Sequence, residues 1–338
     1  MMTVLAGVAG LVTVLYAISA LGRLVPVKRR HHNWKQVSGM SAVTLLVVAF
    51  AGGIFGATHG MIAPKSGPAS SPPKPAVSGE TMPIGVFAPG EWKSWSPVQR
   101  FSQDAGQPVR YALNYMGPDE PFPAQFGQLA ADHGAEPVLQ MMPTMSMADI
   151  AAGQDDAYLR SLARQVASYG HPVVLSFAPE ANGSWYRWGW TRTAPSQYQA
   201  AWKHVMAQFA GARNVTWMDT VNVSYPGSGP MADYIVPGVM IGIDGYYGFG
   251  NQGMEFNSVF TPTLGQVRAH TKAPVMISET AIQGSRDQAA HIPGLIQGAR
   301  QNHLAGVIWF NQDRGAGQHW TLTPAGAAAL RQALASSR

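Results

Sequence analysis

Short apolar runs rich in β-forming residues recur eight times after Pro83, and this repetition constrains the fold more than any other feature of the sequence. The runs are Ile84–Phe87, Val109–Asn114, Pro137–Met141, Pro172–Phe177, Val215–Met218, Val239–Ile243, Pro274–Ser278 and Ala305–Phe310. Continuous apolar runs of this length are typical of parallel strands that are buried on both faces. The sequence therefore predicts eight parallel strands.

Helical patterns lie between several of these runs. Asp156–Tyr169 carries Leu159, Leu162 and Val166 on one face, and Pro195–Ala210 is a second amphipathic segment. Strands that alternate with helices over about 250 residues are typical of a (β/α)8 TIM barrel. A doubly wound open sheet is the alternative, but no Gly-rich dinucleotide loop links a strand to a helix. We therefore predict an α/β fold whose domain 83–338 is a (β/α)8 barrel.

Two long apolar runs precede the barrel. Val4–Leu21 and Ser41–Ala63 are each near the ~20 residues that a membrane-spanning helix needs. Arg23, Lys28, Arg29, Arg30 and Lys35 lie between them. Because short basic loops stay on the cytoplasmic side, this pattern predicts an anchor of two transmembrane helices in domain 1–62, with both ends outside the cytoplasm. A cleaved signal peptide is the alternative interpretation of the first run.

Residues 63–82 are rich in proline, serine and glycine and show no apolar periodicity. Such a composition predicts a semi-extended linker. The barrel is therefore expected outside the cytoplasmic membrane, on its periplasmic or extracellular side.

The net charge of +5 belongs to the N-terminal region. Residues 1–80 carry a net charge of +6 and the remaining residues a net charge of −1. A nearly neutral barrel excludes a nucleic-acid partner, which requires basic residues clustered on the folded part. The chain contains no cysteine, which excludes a thiolate nucleophile and cysteine-based metal sites. The histidines show no ligand spacing, so we expect neither a metal nor an organic cofactor.

Several acidic residues follow the predicted strands. Glu180 follows the fourth, Glu279 ends the seventh, and Asp219, Asp244 and Asp313 follow the fifth, sixth and eighth. The active site of a barrel lies at these C-terminal strand ends, where Glu180 and Glu279 would face one another. Two carboxyls about 5–5.5 Å apart suit retaining glycoside hydrolysis, with one protonated and one ionised. Structural ion pairs or helix caps are the alternative roles for these glutamates.

Aromatic residues are concentrated on the same loops. The loop after Glu180 contains Trp185, Tyr186, Trp188 and Trp190, and Trp92, Trp95, Tyr246, Tyr247 and Trp309 follow or end other strands. Aromatic rings stack on the apolar faces of sugars, and Asn182 is suited to hydrogen-bond hydroxyl groups. Nine aromatic residues on loops of one face are harder to explain by packing alone, so their concentration favours a polysaccharide ligand.

The segment Ser176–Gly189, S-F-A-P-E-A-N-G-S-W-Y-R-W-G, resembles the strand-four motif R-F-A-H-E-M-N-G-x-W-Y-x-W-G of glycoside hydrolase family 26. The best-known members of that family are β-mannanases. P-V-M-I-S-E, which ends at Glu279, is similar to the family's strand-seven motif P-V-M-I-A-E, and Gly242, Asp244 and Tyr246 are similar to its G-x-D-x-Y motif. The resemblance covers essentially the whole chain after the linker.

This resemblance implies that Glu180 is the catalytic acid/base and Glu279 the nucleophile. It also favours a set of substrate-binding residues, Asn182, Trp185, Tyr186, Trp188, Asp244, Tyr246 and Trp309. Pro179 stands where the family usually has histidine, which removes a polar contact near the reacting sugar. The resemblance therefore does not determine which sugar the substrate contains. Some related members are similar to lichenases and xylanases.

The sequence thus predicts a membrane-anchored retaining endo-β-glycanase that acts on β-mannan, mixed-linkage glucan or another β-glucan. The alternative is a non-catalytic glycan-binding or scaffold subunit of an exopolysaccharide synthesis and export complex. In either interpretation a polysaccharide and the membrane are partners, and a synthase or export complex is a further candidate partner.

Overall fold

A computed structural model of the 338-residue chain describes residues 81–250, 252–284, 286–315 and 317–336. The two predicted membrane helices and nearly all of the predicted linker lie outside these described residues. Within the described part of the chain, no helix has both the length and the apolar character that a membrane span requires.

Eight parallel strands form a closed barrel, in which each strand pairs with the next along the chain and β1 pairs with β8. The strands are β1 Ile84–Phe87, β2 Tyr111–Met116, β3 Glu136–Met141, β4 Val173–Phe177, β5 Val215–Asn222, β6 Met240–Asp244, β7 Val275–Thr280 and β8 Val307–Phe310. The predicted barrel and its eight strands are confirmed. The largest difference is at β5, which continues four residues beyond the predicted end at Met218.

Helices lie between the strands and after the last one. They are α1 Ser96–Ala105, α2 Ala124–Asp132, α3 Met147–Ala151, α4 Asp156–Tyr169, α5 Pro195–Gln208, α6 Met231–Tyr234, α7 Phe256–Val259, α8 Thr261–His270, α9 Gln288–Gln301 and α10 Pro324–Ala335. Helix α4 has the predicted bounds and ends at Gly170, whose φ of 72° lies in the left-handed region that favours glycine. Helix α10 begins where the Thr323 side chain accepts a hydrogen bond from the Gly326 amide.

The lumen of the barrel is a packed apolar core. It contains Tyr111, Leu113, Val138, Val174, Met218, Met240, Met276, Ala305 and Ile308. Phe87 and Tyr115 pack against the C-terminal side of this cluster. Because side chains alternate between the two faces of a strand, Tyr115 faces the lumen together with Tyr111 and Leu113 of the same strand. The core thus closes the barrel from below and supports the residues at its mouth.

Strand β7 contains a bulge at the C-terminal side of the barrel. Ile243 of β6 pairs with Ile277, but the next residue, Asp244, pairs with Glu279. On the other side, Ile277 pairs with Val307 and Thr280 with Trp309, so β7 has one residue more than β8 over the same span. A bulge of this kind changes the direction in which the following side chains point.

Candidate active site

Glu180 lies on a strained bend directly after β4. Strand β4 ends at Phe177, and the φ angles of Ala178 and Glu180 are 49° and 57°. The left-handed region costs roughly 1–2 kcal/mol for a residue with a Cβ atom. The Glu180 amide donates to the Thr220 carbonyl at 2.7 Å, which ties the bend to β5. Strain held by surrounding contacts in this way is typical of functional sites.

Side chains from outside the bend bind its carbonyl groups. The Tyr198 hydroxyl donates to the Ala178 carbonyl at 3.1 Å, and the Trp188 indole donates to the Pro179 carbonyl at 2.6 Å. Trp188 is buried, with 4% of its surface exposed, and its only indole donor is used. Trp188, which was predicted to contact the substrate, is instead buried and supports the backbone that carries Glu180.

The Glu180 carboxyl group accepts two hydrogen bonds. The side-chain amide of Asn222 donates to Oε1 at 2.6 Å, and the Trp185 indole donates to Oε2 at 2.9 Å. The backbone of Asn222 is itself held by the side chain of Asn182. Its Nδ2 donates to the Asn222 backbone carbonyl at 2.8 Å, and its Oδ1 accepts from the Asn222 backbone N–H at 2.9 Å. Asn182 has no exposed surface, so it positions Asn222 and does not have the predicted contact with a sugar.

Glu279 has a different set of donors. The Tyr115 hydroxyl donates to its Oε1 at 2.6 Å and the Tyr246 hydroxyl to its Oε2 at 2.7 Å. Met276 of the same strand faces the lumen, so regular alternation would place Ser278 on the lumen side and Glu279 on the outer side. The bulge brings Glu279 to the mouth as well.

Burial and mutual charge separate the two carboxyl groups in acidity. Burial and the charge of Glu279 raise the pKa of Glu180 to about 7, against the lowering effect of its hydrogen bonds and of Arg314. Burial also raises the pKa of Glu279, but the Tyr115 hydroxyl, Arg314 and the Tyr246 hydroxyl all oppose this rise. Two hydroxyl donors favour the ionised form of Glu279. The pair can therefore hold one proton on Glu180 and one negative charge on Glu279 near neutral pH.

Asp244 lies close to this pair but has only 1% of its surface exposed. The Ser278 hydroxyl donates to its Oδ1 at 2.6 Å. A Cβ atom at Gly242 would lie 2.4 Å from Ser278 Oγ, so this position requires glycine. Burial and the charges of Glu279 and Glu180 raise the pKa of Asp244 well above its ordinary value. Asp244, predicted to bind substrate, is thus a buried neighbour of the pair.

Three of the predicted aromatic residues are accessible at the mouth. Trp185 is 46% exposed, and its ring stacks on Tyr225 with a centroid distance of 5.9 Å. Tyr186 is half-buried and stacks on Trp188 with a centroid distance of 4.5 Å. Trp92, on the loop after β1, is 51% exposed. These rings offer flat apolar surfaces on the face of the barrel that carries the glutamates.

Comparison with known proteins relates this chain to glycoside hydrolases. No family model matches the chain. Endoglucanase H of Acetivibrio thermocellus is 30% identical over 207 residues, which are 55% of this chain and 23% of that protein. The match therefore spans less than a quarter of the length of that relative.

Solved structures of family 26 mannanases superpose on the barrel. A ruminal endo-β-1,4-mannanase has a TM-score of 0.57 and 13% identity, covering 77% of this chain and 64% of its own. A β-mannanase from Bacteroides ovatus has a TM-score of 0.55 and 15% identity, covering 76% and 89%. The chain has the fold of glycoside hydrolase family 26. The resemblance inferred from the sequence motifs is confirmed at this level.

Trp309, the tryptophan that the family 26 motif places on strand eight, does not face the mouth. It is fully buried, and its indole donates to the Trp320 carbonyl at 3.0 Å. Its neighbour Phe310 faces the mouth, where the ring stacks on Phe87 at a centroid distance of 4.8 Å and lies 6.0 Å from Tyr246. Because adjacent residues of a strand point to opposite faces, the predicted substrate contact of Trp309 is wrong in this structure.

The two remaining aspartates have structural contacts. Asp219 lies within β5, where it accepts from the Tyr198 hydroxyl at 3.0 Å and from the Val236 amide at 2.9 Å. Asp313 accepts from the Thr321 amide at 2.8 Å. Neither is hydrogen-bonded to Glu180 or to Glu279.

Sequence reasoning missed four residues of the site, which are Tyr115, Asn222, Phe310 and Arg314. Tyr115 and Asn222 lie at the C-terminal ends of β2 and β5, which is the signal that could have found them. Asn222 was hidden because the apolar run of β5 stops at Met218, although the strand itself continues.

Proposed function

We propose that the chain is a glycoside hydrolase that cleaves a β-linked polysaccharide by double displacement. The observation that carries this proposal is the contrast between Glu180 and Glu279 at the ends of β4 and β7. Glu180 has a pKa of about 7 and is suited to donate a proton. Glu279 accepts from two tyrosine hydroxyls and is suited to act as a nucleophile.

In the first step, a Glu279 carboxylate oxygen attacks the anomeric carbon while Glu180 gives its proton to the leaving glycosidic oxygen. The bond between sugar and leaving group breaks, and a glycosyl ester forms on Glu279. Tyr115 and Tyr246 orient Glu279 for this attack through their hydrogen bonds.

In the second step, the ionised Glu180 takes a proton from a water molecule, whose oxygen attacks the same anomeric carbon. The ester bond breaks, Glu279 regains its negative charge, and the sugar leaves with the configuration that it had in the substrate. Two inversions at one carbon give net retention, and both carboxyl groups return to their starting states.

The substrate class is supported by the relatives and by the exposed rings. The printed names of the relatives are those of endo-β-1,4-mannanases and an endoglucanase. Trp185 and Trp92 are exposed on the mouth face, where they suit stacking on successive sugars of a chain. A β-mannan or a β-glucan, cleaved internally, fits these features.

We further propose that the barrel acts outside the cytoplasmic membrane, attached through residues 1–62. The support is the pair of apolar runs with a basic segment between them. A glycan that is made or exported at the same membrane would then be the substrate, and a synthase or export complex would be the partner.

The test measures new reducing ends when the full chain, solubilised in detergent, is incubated with β-mannan, glucomannan, mixed-linkage glucan, cellulose and xylan. We expect cleavage of at least one polymer, with loss of activity in Glu180→Gln and Glu279→Gln. Glu255→Gln is the control, because it removes the same charge from a side chain that is 70% exposed. Proton NMR of the first product should show the β-anomer.

Binding without cleavage on every polymer, unchanged in both variants, would contradict the enzyme and favour a glycan-binding subunit. The exposed Trp185 would serve that function equally well.

A further inference from the structure

Arg314 lies over the mouth of the barrel on the loop after β8. The carbon atom of its guanidinium group is 4.5 Å from the centroid of the Phe310 ring. Phe310 in turn contacts Tyr246, which donates to Glu279. A guanidinium group stacked on an aromatic ring keeps its planar edge free to bind a ligand. Arg314 is thus held beside the reacting groups by its stacking on Phe310.

The guanidinium of Arg314 forms no hydrogen bond or ion pair with any residue that the structure describes. Other arginines on this face are structural. Arg187 donates to the Thr144 carbonyl at 3.2 Å, and Arg192 donates to the Ser184 carbonyl at 2.6 Å. An arginine has five N–H donors in a fixed planar arrangement that matches a carboxylate group. Arg314 therefore brings unused donors to the site.

The positive charge of Arg314 acts on both glutamates. It lowers the pKa of Glu180 and of Glu279 against the larger effect of burial. A substrate that carries a negative charge would be repelled by Glu279 unless a cation stood close by. Arg314 supplies such a cation and would leave the site able to accept an acidic sugar.

We propose that Arg314 binds a carboxylate substituent of the glycan, so that the substrate contains uronic acid units. This inference rests on the proposed function, since it assigns a substrate class to the same site. The planar edge of the guanidinium would bind the two oxygens of the carboxylate in parallel. Lysine would keep the charge at this position but would not reproduce that geometry.

The experiment compares oligosaccharides that differ only at carbon 6. One pair is β-1,4-mannohexaose and hexa-β-1,4-mannuronate, and the other is cellohexaose and its C6-oxidised counterpart. Dissociation constants are measured by calorimetry on the full chain in detergent, with Glu180→Gln present to prevent turnover. Initial rates are measured on the chain without that substitution.

We expect the carboxylated member of at least one pair to bind about tenfold more tightly than the neutral member. Arg314→Met should remove this preference, because it keeps the stem over Phe310 but loses the charge and the donors. Arg314→Lys should retain only part of it. Lys203→Met is the control: it removes one charge from an exposed side chain in the middle of α5, outside the loops at the barrel mouth, and it should leave the preference intact. Raising the sodium chloride concentration to 0.5 M should reduce the preference in the unsubstituted protein.

Equal or tighter binding of the neutral members, unaffected by Arg314→Met, would overturn this inference, and cleavage of those neutral chains would leave the proposed function intact. Tight, Arg314-dependent binding of the carboxylated members without cleavage of any chain would support Arg314 and contradict the hydrolase. Failure of all four oligosaccharides to bind would overturn both.

Discussion

The ends of β4 and β7 deliver the same functional group to the mouth of the barrel by different means. At the end of β4 the chain leaves the strand, and Glu180 has a left-handed backbone with a φ of 57°. At the end of β7 the chain remains in the strand, and a bulge redirects Glu279. Glu180 is bound by an amide and an indole, whereas Glu279 is bound by two phenols.

This difference shows how surroundings divide one chemistry into two roles. Both carboxyl groups are desolvated, which alone would raise both pKa values. The phenol donors offset this rise at Glu279, while the negative charge of Glu279 adds to it at Glu180. The acid and the nucleophile are therefore defined by their neighbours rather than by the glutamate side chains themselves.

The largest expected effect comes from removing either carboxylate. Glu279→Gln should reduce kcat by about 10⁴-fold or more, because no nucleophile remains. Glu180→Gln should reduce it by about 10²–10⁴-fold on a polysaccharide, because the leaving oxygen is no longer protonated. On a dinitrophenyl glycoside, whose leaving group needs no proton, formation of the glycosyl ester should remain fast in Glu180→Gln and stay abolished in Glu279→Gln. A pre-steady-state burst of dinitrophenol measures this step, and the opposite pattern would reverse the assignment of the two roles.

Removing one phenol donor should have an intermediate effect. Tyr115→Phe and Tyr246→Phe each leave Glu279 with one donor fewer, and a hydrogen bond to a charged group contributes about 1.5–3 kcal/mol. We expect kcat/KM to fall about 10- to 100-fold, in proportion to that energy.

Tyr247→Phe is a matched control, because the Tyr247 hydroxyl is buried and has no hydrogen-bond partner among the described residues. Its activity should equal that of the unsubstituted protein. A loss similar to that in Tyr115→Phe would show that any tyrosine in this region supports the fold rather than Glu279.

The loop after β4 should be sensitive to small changes in volume. A Cβ atom at Gly189 would lie 2.2 Å from the Gly183 carbonyl oxygen, so Gly189→Ala must displace the segment that carries Trp185. We expect the free energy of unfolding to fall by about 1–3 kcal/mol and the activity to fall with it. Gly265→Ala, in α8 with open space around its Cβ, should instead raise that free energy by roughly 0.5–1 kcal/mol. Urea unfolding of the two variants checks both signs.

The smallest expected effect is a shift in pH dependence. Because Glu180 must be protonated and its pKa is about 7, kcat/KM should fall as the pH rises through about 7. The Trp185 indole stabilises the ionised form of Glu180, so Trp185→Phe should move this descending limb to higher pH. Trp92→Phe also removes an exposed indole from this face but should leave the limb in place. Because the two glutamates interact, the apparent pKa values of the pH profile belong to the pair. The full profile, with its ascending and descending limbs, is therefore recorded for each variant.

The sequence predicted the barrel well because each buried strand is a continuous apolar run. The closure of β1 on β8 and the placement of Glu180 and Glu279 at strand ends follow from that pattern. Trp309 was misplaced because a motif gives the position along a strand but not the face, which depends on whether Ile308 or Trp309 enters the lumen.

The contacts that support the two glutamates could not be predicted from the sequence for a related reason. Tyr115 and Glu279 are separated by 164 residues, and only the closed barrel brings them together. The exchange of hydrogen bonds between Asn182 and Asn222 likewise depends on the register of β4 against β5. Local patterns fix elements, while these contacts are set by the three-dimensional pairing of elements.

Because of the bulge in β7, the number of residues in this strand decides which side chain faces the mouth of the barrel. Met276, Ser278 and Glu279 all face the lumen side, which an uninterrupted strand does not allow. Deleting one residue between Ile277 and Glu279 would restore strict alternation without removing any apolar core residue. The barrel could then close as before while its carboxylate was shifted along the strand, away from Tyr115 and Tyr246. Engineering that transplants this strand into another barrel must therefore keep the number of its residues as well as their identities.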